Sequence, residues 1–64
     1  MTKKEAYERA RFLSKRDGSV MFIVLNEPTE TGYDIADNED METFYLGSKP
    51  IDAFVNGELD RVEN

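Results

Sequence analysis

The side chains that most often carry catalysis are missing from this 64-residue sequence, which contains no His and no Cys. A nucleophile would have to be a Ser, Thr, Lys or carboxylate, and none of these stands beside an evident base in a motif. The four glycines are too widely spaced for a phosphate-binding loop. We therefore expect no catalytic residues, no cofactor and no Cys/His zinc site.

A run of acidic side chains without a single base occupies residues 27–42. Its members are Glu27, Glu30, Asp34, Asp37, Glu39, Asp40 and Glu42. The run lacks the glycine and the third-position ligand of a calcium loop, so no metal site is expected. A solvated acidic surface is the simpler interpretation. The alternative is a mimic of nucleic-acid phosphates that occupies the basic groove of a DNA- or RNA-binding protein.

Basic side chains concentrate at the other end of the chain. Residues 1–18 carry a net charge of +3 and residues 19–64 a net charge of −9, which together give the −6 of the whole chain. Lys4, Arg11 and Lys15 fall on a narrow arc of the expected first helix, where they suit a phosphate backbone or an acidic partner. Nucleic-acid binding is the lesser alternative, because the acidic remainder would repel a polyanion.

Apolar side chains outside the expected core indicate a second kind of site. Phe12 lies on the charged side of the first helix and should be at least half exposed, as interface anchors often are. The apolar strand over residues 19–25 has two apolar faces, and one helix covers only one of them. We therefore expect Phe12, together with the face of Met21, Ile23 and Leu25, to bind a protein partner or a second copy of the chain.

A helix over residues 3–16 carries the basic side chains. Thr2 and Glu5 match a capping box at its start, and Asp17-Gly18 ends it. A rotation of 100° per residue places its core face on one arc of roughly 120°. That arc contains Ala6, Tyr7, Ala10 and Leu13.

Three strands, over residues 19–25, 33–37 and 43–46, are expected to form an antiparallel meander, because the connecting loops are too short for parallel crossovers. Residues 37–41 are expected to form the turn between the second and third strands.

The C-terminal segment fits two structures. In the first, Pro50 opens a short helix that aligns Ile51, Phe54 and Val55, and Asn56-Gly57 caps it. In the second, Asn56-Gly57 is a type I′ hairpin turn. The hairpin pairs Phe54 with Leu59, Ile51 with Val62, and Asp52 with Arg61. The helix is favoured, because neither face of the hairpin alternates cleanly.

These features predict one α+β domain over residues 1–64, with an N-terminal helix on a three-stranded antiparallel meander and a short C-terminal helix or hairpin. No apolar run is long enough for a secretory signal or a membrane span, so we expect a cytoplasmic protein without membrane contact. The predicted function is non-catalytic: a small acidic adaptor, inhibitor or homodimer that acts by protein–protein contacts. No small-molecule substrate is evident.

Overall fold

The computed structural model of the chain describes residues 1–45, 47 and 49–61. In chain order the elements are α1 (Lys3–Asp17), β1 (Val20–Leu25), β2 (Tyr33–Ala36), α2 (Asn38–Thr43), β3 (Asp52–Val55) and β4 (Glu58–Arg61). The strands form one antiparallel sheet in the order β2-β1-β3-β4. The α+β class and the helix packed on an antiparallel sheet are confirmed, but the sheet has four strands rather than three.

Helix α1 begins and ends with the local signals that its sequence predicts. The Glu5 N–H donates to Thr2 Oγ1 at 3.2 Å, and the Thr2 N–H donates to Glu5 Oε1 at 3.2 Å. The hydrogen bond from the Thr2 backbone lowers the pKa of Glu5, because it stabilises the charged carboxylate. At the other end Gly18 takes a left-handed conformation, with φ of 67°, and its N–H donates to the Ser14 carbonyl.

The core lies between α1 and one face of the sheet. Ala6 and Ala10 are fully buried, and their small side chains let the helix approach the strands closely. Opposite them lie Met21, Ile23 and Phe54. The half-buried side chains that pack around this cluster are Tyr7, Leu13, Tyr33 and Ile35.

The segment after β2 is helical, where the sequence predicted a turn and a third strand. The Asp40 N–H donates to Asp37 Oδ1 at 2.8 Å, and the Asp37 N–H donates to Asp40 Oδ2 at 3.3 Å. This capping box starts α2, whose last residue is Thr43 and whose C-cap is Phe44. The predicted strand over residues 43–46 is therefore wrong for its described residues, and Leu46 lies outside them.

The C-terminal segment forms the hairpin, so the favoured C-terminal helix is wrong. Asn56 and Gly57 have φ of 52° and 81°, and a type I′ turn requires positive φ at both positions. The register pairs Phe54 with Leu59 and places Asp52 opposite Arg61, as the alternative predicted; Val62 lies outside the described residues. Tertiary pairing decides the outcome, because β3 also pairs with β1 and gains a ladder on both sides.

Candidate functional site

A groove of about 480 Å³ runs between α1 and the hairpin of β3 and β4. Its lining consists of Lys4, Tyr7, Glu8, Arg11, Phe12, Lys15, Phe54 and Leu59. The α1 members recur at intervals of three and four residues, so they lie on one side of the helix. One wall of the groove is therefore one side of α1, and the other wall is the hairpin.

The floor of the groove is aromatic. The rings of Tyr7 and Phe54 meet edge to face, with centroids 5.9 Å apart and planes at 83°. The Arg11 guanidinium lies 5.5 Å from the Phe54 ring centroid, so its charge is held above the floor. The Tyr7 hydroxyl donates a hydrogen bond to the Asp52 carboxylate, which anchors that ring to β3.

Two apolar side chains on the groove are open to solvent. Phe12 is 61% exposed, which agrees with the expectation of at least half, and the Arg16 guanidinium lies 5.6 Å from its ring centroid. Leu59 on β4 is 42% exposed. Both side chains would lose water contact if a partner occupied the groove.

The other apolar site residues lie elsewhere. Met21 and Ile23 are buried beneath α1, so they offer no surface to a partner, whereas Leu25 is exposed. The expectation that this face of β1 needs a foreign cover is thus corrected. On the face under α1, Met21 and Ile23 pack with the large side chains Phe54 and Ile35, so burial of apolar area favours covering this face.

The opposite face of the sheet carries smaller side chains. Ala36 and Ala53 are buried there, as is Val24, while Phe22 is half-buried. Helix α2 packs against β1 and β2. The second apolar face of β1 is therefore covered in part by this short helix. The sequence had predicted a turn and a strand in the same segment.

The structure brings the three predicted basic residues together on the groove. Lys4, Arg11 and Lys15 are all exposed and line the same space. None of the three makes a salt bridge within the described part of the chain, where Arg16 and Asp17 form one at 2.9 Å. Glu8 is the single acid in the lining, so the groove is net positive.

The predicted acidic residues divide into two groups. Asp37 and Asp40 cap α2, and Asp34 accepts hydrogen bonds from the Ile35 N–H and the Tyr45 hydroxyl. Those that remain exposed are Glu27, Glu30, Glu39 and Glu42. Among the described residues, no cluster of three or more carboxylates is arranged to hold a metal ion.

The bond to Asp34 also changes the acidity of Tyr45. Donation to this carboxylate stabilises the neutral phenol and raises the pKa of Tyr45 to about 12.

Sequence reasoning missed three residues that matter to this surface. Ser14 is fully buried, accepts the Gly57 N–H at 2.9 Å and donates to the Arg11 carbonyl at 3.1 Å, so it joins α1 to the hairpin. Leu59 enters the groove only once the hairpin is formed. Phe44, the C-cap of α2, is 81% exposed. The Asn56-Gly57 dipeptide was the signal that could have located the hairpin and Leu59.

Comparisons with models of protein families, with curated proteins and with solved structures gave no match to this chain. No helix within residues 1–45, 47 and 49–61 combines the length and apolarity needed to cross a membrane.

Proposed function

We propose that this chain is a non-catalytic protein-binding domain and that its contact surface is the groove between α1 and β4. The observation that supports this function is the exposure of Phe12 and Leu59 on a groove with an aromatic floor and a basic wall. Aromatic side chains and Arg are the residue types most enriched at the energetic centres of protein interfaces. The absence of His and Cys from the sequence agrees with a role in binding rather than catalysis.

The structure supports an adaptor or inhibitor more than a mimic of nucleic acid. A phosphate mimic needs its carboxylates directed outward over one surface, where they can meet a basic groove. Three of the seven candidate acids, Asp34, Asp37 and Asp40, instead accept hydrogen bonds inside the chain. The basic residues, by contrast, share one groove with the exposed apolar side chains.

A selection from a library of displayed random peptides tests this function, because it requires no named partner. The immobilised chain is the bait, and each enriched peptide is then measured against Phe12→Asp and against the matched variant Phe44→Asp. Both substitutions replace an exposed Phe by Asp, and only Phe12 lines the groove. We expect Phe12→Asp to weaken binding at least about tenfold, and Phe44→Asp to leave it unchanged.

Amide NMR spectra should show that both variants keep the fold, because substitutions at such exposed positions rarely unfold a domain. Enriched peptides that bind Phe12→Asp as tightly as the parent chain would contradict the proposed surface. Loss of binding in Phe44→Asp alone would indicate that the contact surface lies at the C-terminal end of α2 instead.

A further inference from the structure

We propose that the groove receives an extended segment of another protein, which adds to β4 as a fifth strand. Side chains on the α1 side of this segment are acidic and apolar, and those on its other side are basic or neutral. The inference rests on the proposed function and specifies the conformation and the charge pattern of the partner.

The backbone of β4 is available for such pairing. In the order β2-β1-β3-β4, β4 is an edge strand, paired within the described residues with β3 alone. Residues that flank a two-residue turn form a hydrogen-bonded pair, here Val55 and Glu58, so the alternation of the ladder directs the N–H and C=O of Leu59 outward. At the opposite edge the Tyr33 N–H of β2 already donates to the Met1 carbonyl. An open edge strand is a template for a further strand.

Side chains of α1 contact the hairpin along its length. The side chain of Lys15 lies beside Gly57 at the turn, Arg11 lies over Phe54, and the Tyr7 hydroxyl reaches Asp52 at the far end of β3. A strand added to β4 would therefore run alongside this row. The order of the contacts shows that the axis of α1 and the strands of the hairpin are roughly aligned.

The spacing of Arg11 and Lys15 matches the spacing of side chains on a strand. Lys15 and Arg11 are four residues apart on the helix, a rise of about 6 Å. Side chains two apart on the same face of a strand are separated by about 6.7 Å. Two acidic residues at positions i and i+2 of the bound segment can therefore each meet one base. Apolar residues beside them would cover Leu59 and Phe12.

The opposite face of β4 has the opposite charge. Glu58 and Asp60 pair with Val55 and Ala53, so their side chains lie on the face away from α1. Like charges on neighbouring strands destabilise a sheet. The bound strand should therefore present Lys, Arg or neutral polar residues on this face.

The same charges argue against a second copy as the occupant. Two β4 strands paired edge to edge would bring four carboxylates together on one face, from Glu58 and Asp60 of each copy, and the bases of two α1 helices near each other on the other face. Among the residues that the structure describes, the exposed acids outside α1 and β4 lie on α2 and on the β1–β2 loop rather than on an open extended segment. A foreign strand with complementary charge fits better.

Two synthetic peptides of identical composition test the charge pattern. In Thr-Ile-Thr-Asp-Lys-Asp-Thr-Ile-Thr both Asp share one face of the strand, whereas in Thr-Ile-Asp-Thr-Lys-Asp-Thr-Ile-Thr they lie on opposite faces. We expect the first peptide to bind at least about fivefold more tightly, and higher ionic strength to reduce the difference. The affinities are measured by NMR titration of the isotope-labelled chain.

The backbone pairing has its own readout. Binding should slow hydrogen exchange at the Leu59 amide by about tenfold when about nine tenths of the chain is bound, since exchange then occurs from the free fraction. Methylation of a backbone nitrogen removes one hydrogen-bond donor from the peptide. The amides of Asp and of the neighbouring Lys point to opposite sides of the strand, so two peptides, each methylated at one of these residues, test the two sides separately. Strand addition predicts that one methylated peptide loses binding and the other retains it. Loss at Asp indicates antiparallel pairing, and loss at Lys indicates parallel pairing.

Charge variants of the chain complete the test. Arg11→Gln with Lys15→Gln should weaken binding of the first peptide at least about fivefold. Arg9→Gln with Lys49→Gln makes the same change in net charge away from the groove and should have little effect.

Equal affinity of the two designed peptides, equal effects of the two methylations, or no perturbation of β4 amides at about 1 mM peptide would overturn strand addition. The proposed function would survive these results if the library-selected peptides still lost binding in Phe12→Asp. It would fail separately if they did not.

Discussion

One buried hydroxyl links α1 to the turn of the hairpin. Ser14 on α1 accepts the Gly57 N–H and donates to the Arg11 carbonyl. In Ser14→Ala the half-buried Gly57 N–H loses its acceptor, and the Ala side chain offers no replacement. We expect the free energy of unfolding to fall by about 1–3 kcal/mol, as it does when a buried donor is left unpaired. Urea denaturation of the variant measures this loss.

Ser19→Ala provides the control. Ser19 is half-buried, and its hydroxyl makes no hydrogen bond within the described residues. Its replacement should change the free energy of unfolding by less than about 0.5 kcal/mol. Equal losses in the two variants would show that the Ser14 hydroxyl is not the link between helix and hairpin.

The hydrogen bond of Tyr45 to Asp34 should appear in the dependence of stability on pH. The pKa of Tyr45 is about 12 in the folded chain and about 10 once unfolded. Because the folded pKa is the higher one, the stabilisation is fully present below pH 10 and is lost as pH rises toward 12. We expect the parent chain to lose more stability than Tyr45→Phe over that interval. Denaturation at a series of pH values tests this, and parallel curves for the two proteins would contradict it.

The hairpin depends on a glycine at one position of its turn. Gly57 has φ of 81°, and a Cβ there would lie 3.0 Å from the Cβ of Lys15. Gly57→Ala therefore combines backbone strain of about 1–2 kcal/mol with a steric contact against α1. Thermal unfolding should show a clear loss of stability and, because the turn positions β4, weaker peptide binding.

Gly47→Ala separates these two effects. Gly47 has a similar φ of 88°, and a Cβ at that position would meet nothing within 4 Å. The control should therefore show the backbone strain alone. A loss at Gly47 as large as that at Gly57 would mean that the contact between the turn and Lys15 carries no cost of its own.

At the scale of the whole molecule, charge separates into a basic α1 side and an acidic remainder. The β4 edge carries Glu58 and Asp60 on one face, so pairing between identical copies is electrostatically unfavourable. We expect light scattering to give a mass near 7.4 kDa across a concentration series at both low and high salt. A mass near twice that value would contradict this expectation and show that the chain binds a second copy of itself.

Local signals in the sequence were sufficient for the first half of the fold. The Thr2–Glu5 capping box and Gly18 define α1, and its apolar spacing identifies the helix face that is buried. The apolar run of residues 20–25 forms β1, and β2 begins at the predicted Tyr33. These predictions succeeded because a cap or an apolar period acts within a few residues and needs no distant partner.

The second half depended on choices that local sequence does not decide. Helix α2 has only six residues, so its Asp37–Asp40 capping box is a weak signal beside an apparent strand pattern. The Asn56-Gly57 segment suited either a helix cap or a hairpin turn, and only pairing of β3 with β1 selected the hairpin. For the site, the alignment of Lys4, Arg11 and Lys15 and the exposure of Phe12 followed from helical geometry.

A charged, amphipathic first helix and a strand with two apolar faces could be predicted without coordinates, because both follow from fixed backbone periods. Three features required the folded chain: the sheet face that α1 covers, the strand that remains at the edge, and the position of Leu59 beside the bases of α1 in one groove. These features depend on the total apolar area that each arrangement of the whole chain would bury, and a short segment of sequence does not contain that information.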